Sequence, residues 1–163
     1  MALSQAAIGL DASFPAQPPQ VAAIRRAVSD VAARSGADAS TLLRLGLAVS
    51  EAATNVVIHA YRSAPTPGAI DVTATVSDRV LDVCVRDHGI GMSPRLDSPG
   101  LGLGLPLIAS ECDRFEIRCA DGGGTEVMLH FELGSRPPPK SQRHLSLARP
   151  AHAPRSTSSH GTS

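Results

Sequence analysis

A polar stripe interrupts an otherwise apolar run at Glu51-Ala-Ala-Thr-Asn55-Val-Val-Ile-His59-Ala-Tyr61. The four-residue spacing of Glu51, Asn55 and His59 turns each about 40° from the last on an α-helix, so the three share one side. An acid and an amide on an aliphatic helix are costly to bury without partners. They point to a polar site, with a solvated stripe as the plain alternative. The next signal is Val85-Arg86-Asp87-His88-Gly89-Ile90-Gly91. Asp87 ends an apolar strand, where a carboxylate is out of place unless it accepts a hydrogen bond. An exocyclic amine such as that of adenine is a fitting donor, and Gly89 and Gly91 permit a ligand to approach the backbone closely. The bland alternative is a strand-end aspartate in a turn.

Two glycine passages follow. Gly100-Leu-Gly102-Leu-Gly104-Leu-Pro106 leads into a helix with proline in its first turn. Such an entry exposes backbone N–H groups and the positive end of the helix dipole to phosphate. Gly123-Gly124-Thr125 opens the final strand. Each passage alone is a common turn.

In this order and spacing the four motifs resemble the asparagine box, the two glycine boxes and the closing Gly-Thr of the GHKL ATPase superfamily. The resemblance covers about residues 5–134. Glu-x-x-x-Asn-x-x-x-His-Ala-Tyr with a short lid is similar, within that superfamily, to the anti-sigma serine kinases of bacteria. The resemblance implies ATP and Mg²⁺ as ligands. Asn55 would supply its amide oxygen to Mg²⁺. Asp87 would hydrogen-bond the adenine amino group, with Gly89 and Gly91 beside the base. Gly102 and Gly104 would cradle phosphates, and Thr125 would support the adenine pocket through a water. Glu51 would activate or orient the attacking hydroxyl, and residues 89–100 would form the lid. Arg95 in that lid reads as a solvated residue, the alternative being a γ-phosphate contact; His59 reads as a packing or capping residue.

The resemblance also implies a function. The chain would be an ATP-dependent serine protein kinase that phosphorylates a STAS-domain anti-sigma antagonist and binds a sigma factor. A nucleotide-dependent partner-switching module with little phosphate transfer is the alternative, and Glu51 favours the kinase because binding alone needs no base. A histidine-kinase fragment is disfavoured, since no dimerisation helix or phospho-accepting histidine fits before residue 5. Homodimerisation through the first strand and helix is an expectation from the family.

Composition agrees. The only lysine is Lys140, which excludes both a P-loop and the lysine of ordinary protein kinases. Helix dipole, backbone amides and Mg²⁺ can offset phosphate charge in their place. With no Trp, one Tyr and three Phe, stacking platforms for nucleic-acid bases are not expected. Five of the fifteen basic residues and none of the acids lie from Ser135 onward, so the body is acidic and direct nucleic-acid binding is not expected. No signal peptide or membrane span is read, so the expectation is a soluble cytoplasmic protein without membrane contact. Three cysteines without a Cys-x-x-Cys support neither a disulfide framework nor a zinc site.

These motifs require a scaffold. Residues 5–14 read as an edge strand. A helix follows Pro18-Pro19 with Val21, Ile24, Val28 and Val31 on one face, ended by Gly36. Asp38 or Ser40 caps the next helix, which runs to about Tyr61. Strands are expected over 69–76 and 80–86, joined by a hairpin at Ser77-Asp78-Arg79. A helix from the second glycine passage to about Cys112 and strands over 115–119 and 126–133 complete the set. The fold class is α/β: a two-layer sandwich of the GHKL type, its mostly antiparallel sheet covered by helices on one face. Residues 1–134 form the ATP-binding domain, and 135–163, rich in Pro, Ser and Arg, read as a disordered basic tail.

Overall fold

Leu81, Val83 and Val85 alternate along one strand, and all three are completely buried. That period of two defines the inner face of the sheet. The computed structural model describes residues 9–90 and 104–134, with the backbone of 146–147. In chain order these form β1 (Gly9–Pro15), α1 (Pro18–Arg34), α2 (Ala39–Asn55), a π-helical turn (Val56–Ala60), β2 (Ala69–Ser77), β3 (Val80–Asp87), α3 (Gly104–Glu111), β4 (Arg114–Cys119), β5 (Thr125–Glu132) and a dipeptide strand β6 (Ser146–Leu147).

The sheet order is β1-β2-β3-β5-β4-β6. The first five strands are antiparallel. Two residues of the segment read as a tail, Ser146 and Leu147, pair in parallel with Glu116 and Ile117. Ile70, Val72, Val127, Leu129 and Phe131 line the inner face with the β3 residues, against Ile24, Val28, Leu45, Val49 and Ile108 of the three helices, in one cluster. The core is thus largely aliphatic, with Phe115 and Phe131 among its buried residues. A leucine as deeply buried as Leu129 contributes about 2–5 kcal/mol over alanine.

Local chemistry sets the element ends. Pro18 and Pro19 open α1, where a missing N–H costs nothing. Gly36, at φ +86°, closes it. The Ala37 amide donates to Ala32 O at 3.0 Å and the Gly36 amide to Ala33 O at 3.1 Å, the paired bonds of a Schellman motif. Of the two candidates for capping α2, Asp38 does so: its Oδ1 accepts from the Thr41 amide at 2.7 Å. The β2–β3 hairpin turns on Asp78 and Arg79, with φ 48° and 64°, since Ser77 and Val80 already pair. Positive φ at both central residues matches the right-handed twist of the flanking strands.

Helical structure from α2 continues through the π turn to Ala60, close to the expected end, but not as a plain α-helix. Ala39–Ala60 is long and apolar enough to cross a membrane by composition, with a mean hydropathy of 1.3. Its Leu45, Ala48, Val49, Ala52 and Ala53 are fully buried in the domain core, which accounts for that composition.

Candidate nucleotide site

Glu51 and Asn55 stand one turn apart near the end of α2, facing the start of α3. A Cβ added to Gly104 would stand 3.3 Å from Glu51 Oε2 and 3.4 Å from both Asn55 amide atoms. Glycine therefore lets the α3 N-terminus close directly onto these two side chains. Asn55 is buried, and among the described residues its Nδ2 has no hydrogen-bond partner. An orphaned buried amide costs about 1–3 kcal/mol. A ligand atom that accepts from Nδ2 would relieve that cost. Rotating the amide by 180° presents Oδ1 at the same place, so the group fits either an acceptor or a cation.

The second half of the site lies at the end of β3. Asp87 is buried, and its Oδ1 accepts from the Gly89 amide at 2.8 Å. This bond turns the chain sharply out of the strand. Thr125, also buried, begins the neighbouring strand, one step beyond the Arg86–Glu126 pair. Gly124, at φ +92°, packs so closely that a Cβ there would lie 1.9 Å from Asp87 O. Asp87, Gly89, Gly124 and Thr125 thus come together at one end of the sheet.

The π turn joins the two halves. The Ile90 amide donates to Ala60 O at 3.1 Å, and a Cβ on Gly89 would stand 2.0 Å from that same oxygen. Tyr61 adds a second tie: its hydroxyl donates to Ala69 O at 2.7 Å and accepts from the His88 amide at 2.9 Å. Gly68 makes room, since a Cβ there would lie 2.1 Å from the Tyr61 ring. At the rim, His88 Nε2 lies 2.6 Å from Asp71 Oδ2, a hydrogen bond that, with a smaller contribution from Ser13, holds the Asp71 carboxyl below its usual range.

Of the residues singled out in the sequence, Glu51, Asn55 and Gly104 form one cluster, and Asp87, Gly89 and Thr125 the other. Gly91, Gly102 and most of the expected lid, Arg95 included, lie outside the described residues. His59 parts from the Glu51–Asn55 line, because the wider π turn changes the rotation per residue. Its Nδ1 pairs with Arg62, and partial burial, then the Arg62 charge, lower its pKa. The bracing role of the Tyr61 hydroxyl went unread, since its partners are backbone groups that only the fold brings near.

The profile of the histidine kinase-like ATPase domain family matches residues 14–131. The chain belongs to this family. ATP is the ligand that the family implies. The histidine kinase-like domain is 33% identical to the anti-sigma F factor of Clostridium acetobutylicum, over 51% of this chain and 64% of that protein. It is 31% identical to the serine-protein kinase RsbW of Bacillus licheniformis, over 79% of this chain and 89% of that protein. The chain thus spans just under two thirds of the anti-sigma F factor and most of the RsbW protein. Among solved structures, the crystal structure of the RsbU and RsbW domains of Rv1364c from Mycobacterium tuberculosis superposes with a TM-score of 0.61 at 25% identity, covering 77% of this chain and 32% of that one. The histidine kinase domain of the Erythrobacter litoralis EL346 blue-light activated kinase gives 0.52 at 26% identity, covering 74% and 62%.

Proposed function

We propose that this domain is a serine protein kinase and anti-sigma regulator: it binds ATP with Mg²⁺, phosphorylates a serine of a STAS-domain anti-sigma antagonist, and binds a sigma factor. The observation that carries the proposal is the buried Asn55 amide, whose Nδ2 has no hydrogen-bond partner among the described residues, beside Glu51 at the glycine-opened N-terminus of α3. Relatives named serine-protein kinase and anti-sigma F factor support the same function. A protein with this proposed function would work in the cytoplasm and act on transcription.

In this scheme Asp87 accepts from the adenine amino group, Gly89 and Gly91 leave room for the base, and Thr125 supports it through a water. Backbone amides around Gly102 and Gly104 take the phosphates, assisted by the α3 dipole. Asn55 holds Mg²⁺, which when bound offsets phosphate charge. Glu51 takes the proton of the attacking serine hydroxyl. The serine oxygen bonds to the γ-phosphorus as the β–γ bridging bond breaks, and ADP leaves. A positioned base of this kind contributes ~10²–10⁴-fold to rate.

The test is incubation of the purified chain with Mg-ATP and STAS-domain proteins of the same genome, followed by phosphosite mapping. Stoichiometric phosphoserine on one of them supports the proposal. Saturated ATP binding without phosphoserine on any of them would reduce the domain to a nucleotide-dependent binding switch.

A further inference from the structure

Arg44 is charged and almost fully buried, and it lies away from the polar cluster of the site. Its Nε donates to the carbonyl of Glu111, the last residue of α3, at 2.9 Å. Its Nη2 donates to Asp113 Oδ1 at 2.7 Å. The guanidinium lies 5.7 Å from the Phe131 ring centroid. Asp113 is itself anchored: its Oδ2 accepts from the Glu132 amide at 2.8 Å, and its own amide donates to His130 O at 3.0 Å. One side chain of α2 therefore grips the C-terminal end of α3 and ties it to the sheet through β5. A cation at that end also complements the negative pole of the helix.

The spacing gives this grip a consequence. Arg44 precedes Glu51 by seven residues on α2, and Gly104 precedes Glu111 by seven on α3. Seven residues rise about 10 Å along a helix axis. The two helices pack together with Gly104 against Glu51 and Asn55 at one end, and Glu111 against Arg44 at the other. They run antiparallel, with matched seven-residue spans between the hydrogen-bonded Arg44–Glu111 end and the close-packed Glu51–Gly104 end.

We propose that Arg44 is a positioning residue for the phosphate-facing end of the site: its fork sets how far α3 slides along α2, and so where Gly104 stands relative to Glu51 and Asn55. The proposal rests on the nucleotide site argued above. Lysine cannot replace this function, because a single ammonium lacks the planar fork that meets a carbonyl and a carboxylate together. The adenine end is built on the end of β3 and on Thr125, which opens β5, whereas Asp113 bonds β5 at its opposite end, so base recognition lies outside this control. Loss of Arg44 is therefore expected to weaken phosphate recognition and leave base recognition alone.

The test compares wild type, Arg44→Lys, Arg44→Met and Asp113→Asn, each shown to be folded by circular dichroism at the temperature used. Affinities for Mg-ATP and for adenosine are measured by competition against a fluorescent nucleotide. Positioning predicts about tenfold weaker ATP binding with adenosine within about twofold of wild type, in Arg44→Lys and in whichever other variants fold. Unchanged ATP affinity in a folded variant, or equal weakening of both ligands, would overturn the proposal and leave Arg44 a structural residue. Failure of wild type to bind ATP would instead sink the proposed function. In that event, hydrogen exchange over residues 104–112 decides: acceleration confined to α3 in Arg44→Lys supports positioning, and an unchanged rate rejects it.

Discussion

The carbonyl oxygen of Ala60 occupies the place that a side chain on Gly89 would need, 2.0 Å from the ideal Cβ position. The obstacle is backbone and cannot rotate away, so the π turn and the strand exit must separate to admit a methyl group. Gly89→Ala is expected to cost at least the ~1–3 kcal/mol typical of overpacking, seen as a fall of several degrees in Tm. Gly122→Ala serves as control. It has a positive φ of 86° but open space around it, so it meets only the ~1–2 kcal/mol left-handed penalty. Equal Tm for Gly89→Ala and wild type would show that the two segments do not pack as described.

Two roles are proposed for Asp87, and substitution can separate them. Its Oδ1 fixes the turn by accepting from Gly89, and its charge is assigned to the adenine amino group. Asp87→Asn keeps an acceptor for the turn but removes the charge. It should hold Tm near wild type while weakening ATP binding roughly 10- to 150-fold, the equivalent of about 1.5–3 kcal/mol. Asp87→Ala should lower both. Calorimetry giving less than about a threefold change for Asp87→Asn would remove Asp87 from the base site.

Much of this was legible in the sequence. The period-two runs of β2 and β3 and the three-to-four spacing of α1 marked their elements, because each buries one face. Asp87 stood out as a carboxylate ending an apolar strand, and Glu51 and Asn55 as polar residues on an apolar helix. What escaped depends on contacts between distant segments. The π turn that displaces His59 leaves no mark in residue type, and its Val-Val-Ile-His-Ala run suits an ordinary helix equally well. Nothing in the residue type or spacing of Arg44 distinguishes it from a surface arginine on an amphipathic helix. Only the packing of α3 and β5 brings Glu111, Asp113 and Phe131 around it.

The rim pair gives a pH signature. His88 holds the Asp71 carboxyl below its ordinary value, so the folded pKa lies under that of the unfolded chain, ~3.9. A depressed carboxyl contributes stability above the unfolded pKa and loses it as pH falls through the folded one. The difference in Tm between wild type and Asp71→Asn should be positive near pH 6 and shrink toward zero below about pH 4. A difference that grows on acidification would contradict the pairing.

Residues 135–163 are proposed to lie outside the folded domain. Within them, Ser146 and Leu147 add only a two-residue pairing to the β4 edge. Deleting 136–163 should leave Tm within about 2 °C and ATP affinity unchanged, because the entropy of ordering two edge residues, about 1–2 kcal/mol each, offsets what their pairing contributes. A drop of several degrees on differential scanning calorimetry would place part of this segment in the cooperative unit.

The central claim is that Glu51 serves chemistry while Asn55 serves binding, although they stand one turn apart against the same glycine. The most direct measurement is the single-turnover rate of ³²P transfer from saturating Mg-ATP to the STAS-domain substrate, for wild type, Glu51→Gln and Asn55→Ala. Glu51→Gln keeps shape and hydrogen-bonding capacity but loses basicity. It should bind Mg-ATP almost normally and transfer phosphate at least ~100-fold more slowly. Asn55→Ala should weaken Mg-dependent binding as well as transfer. Transfer at the wild-type rate by Glu51→Gln would contradict the assignment of the base, and no transfer by wild type at saturating ATP would contradict the kinase itself.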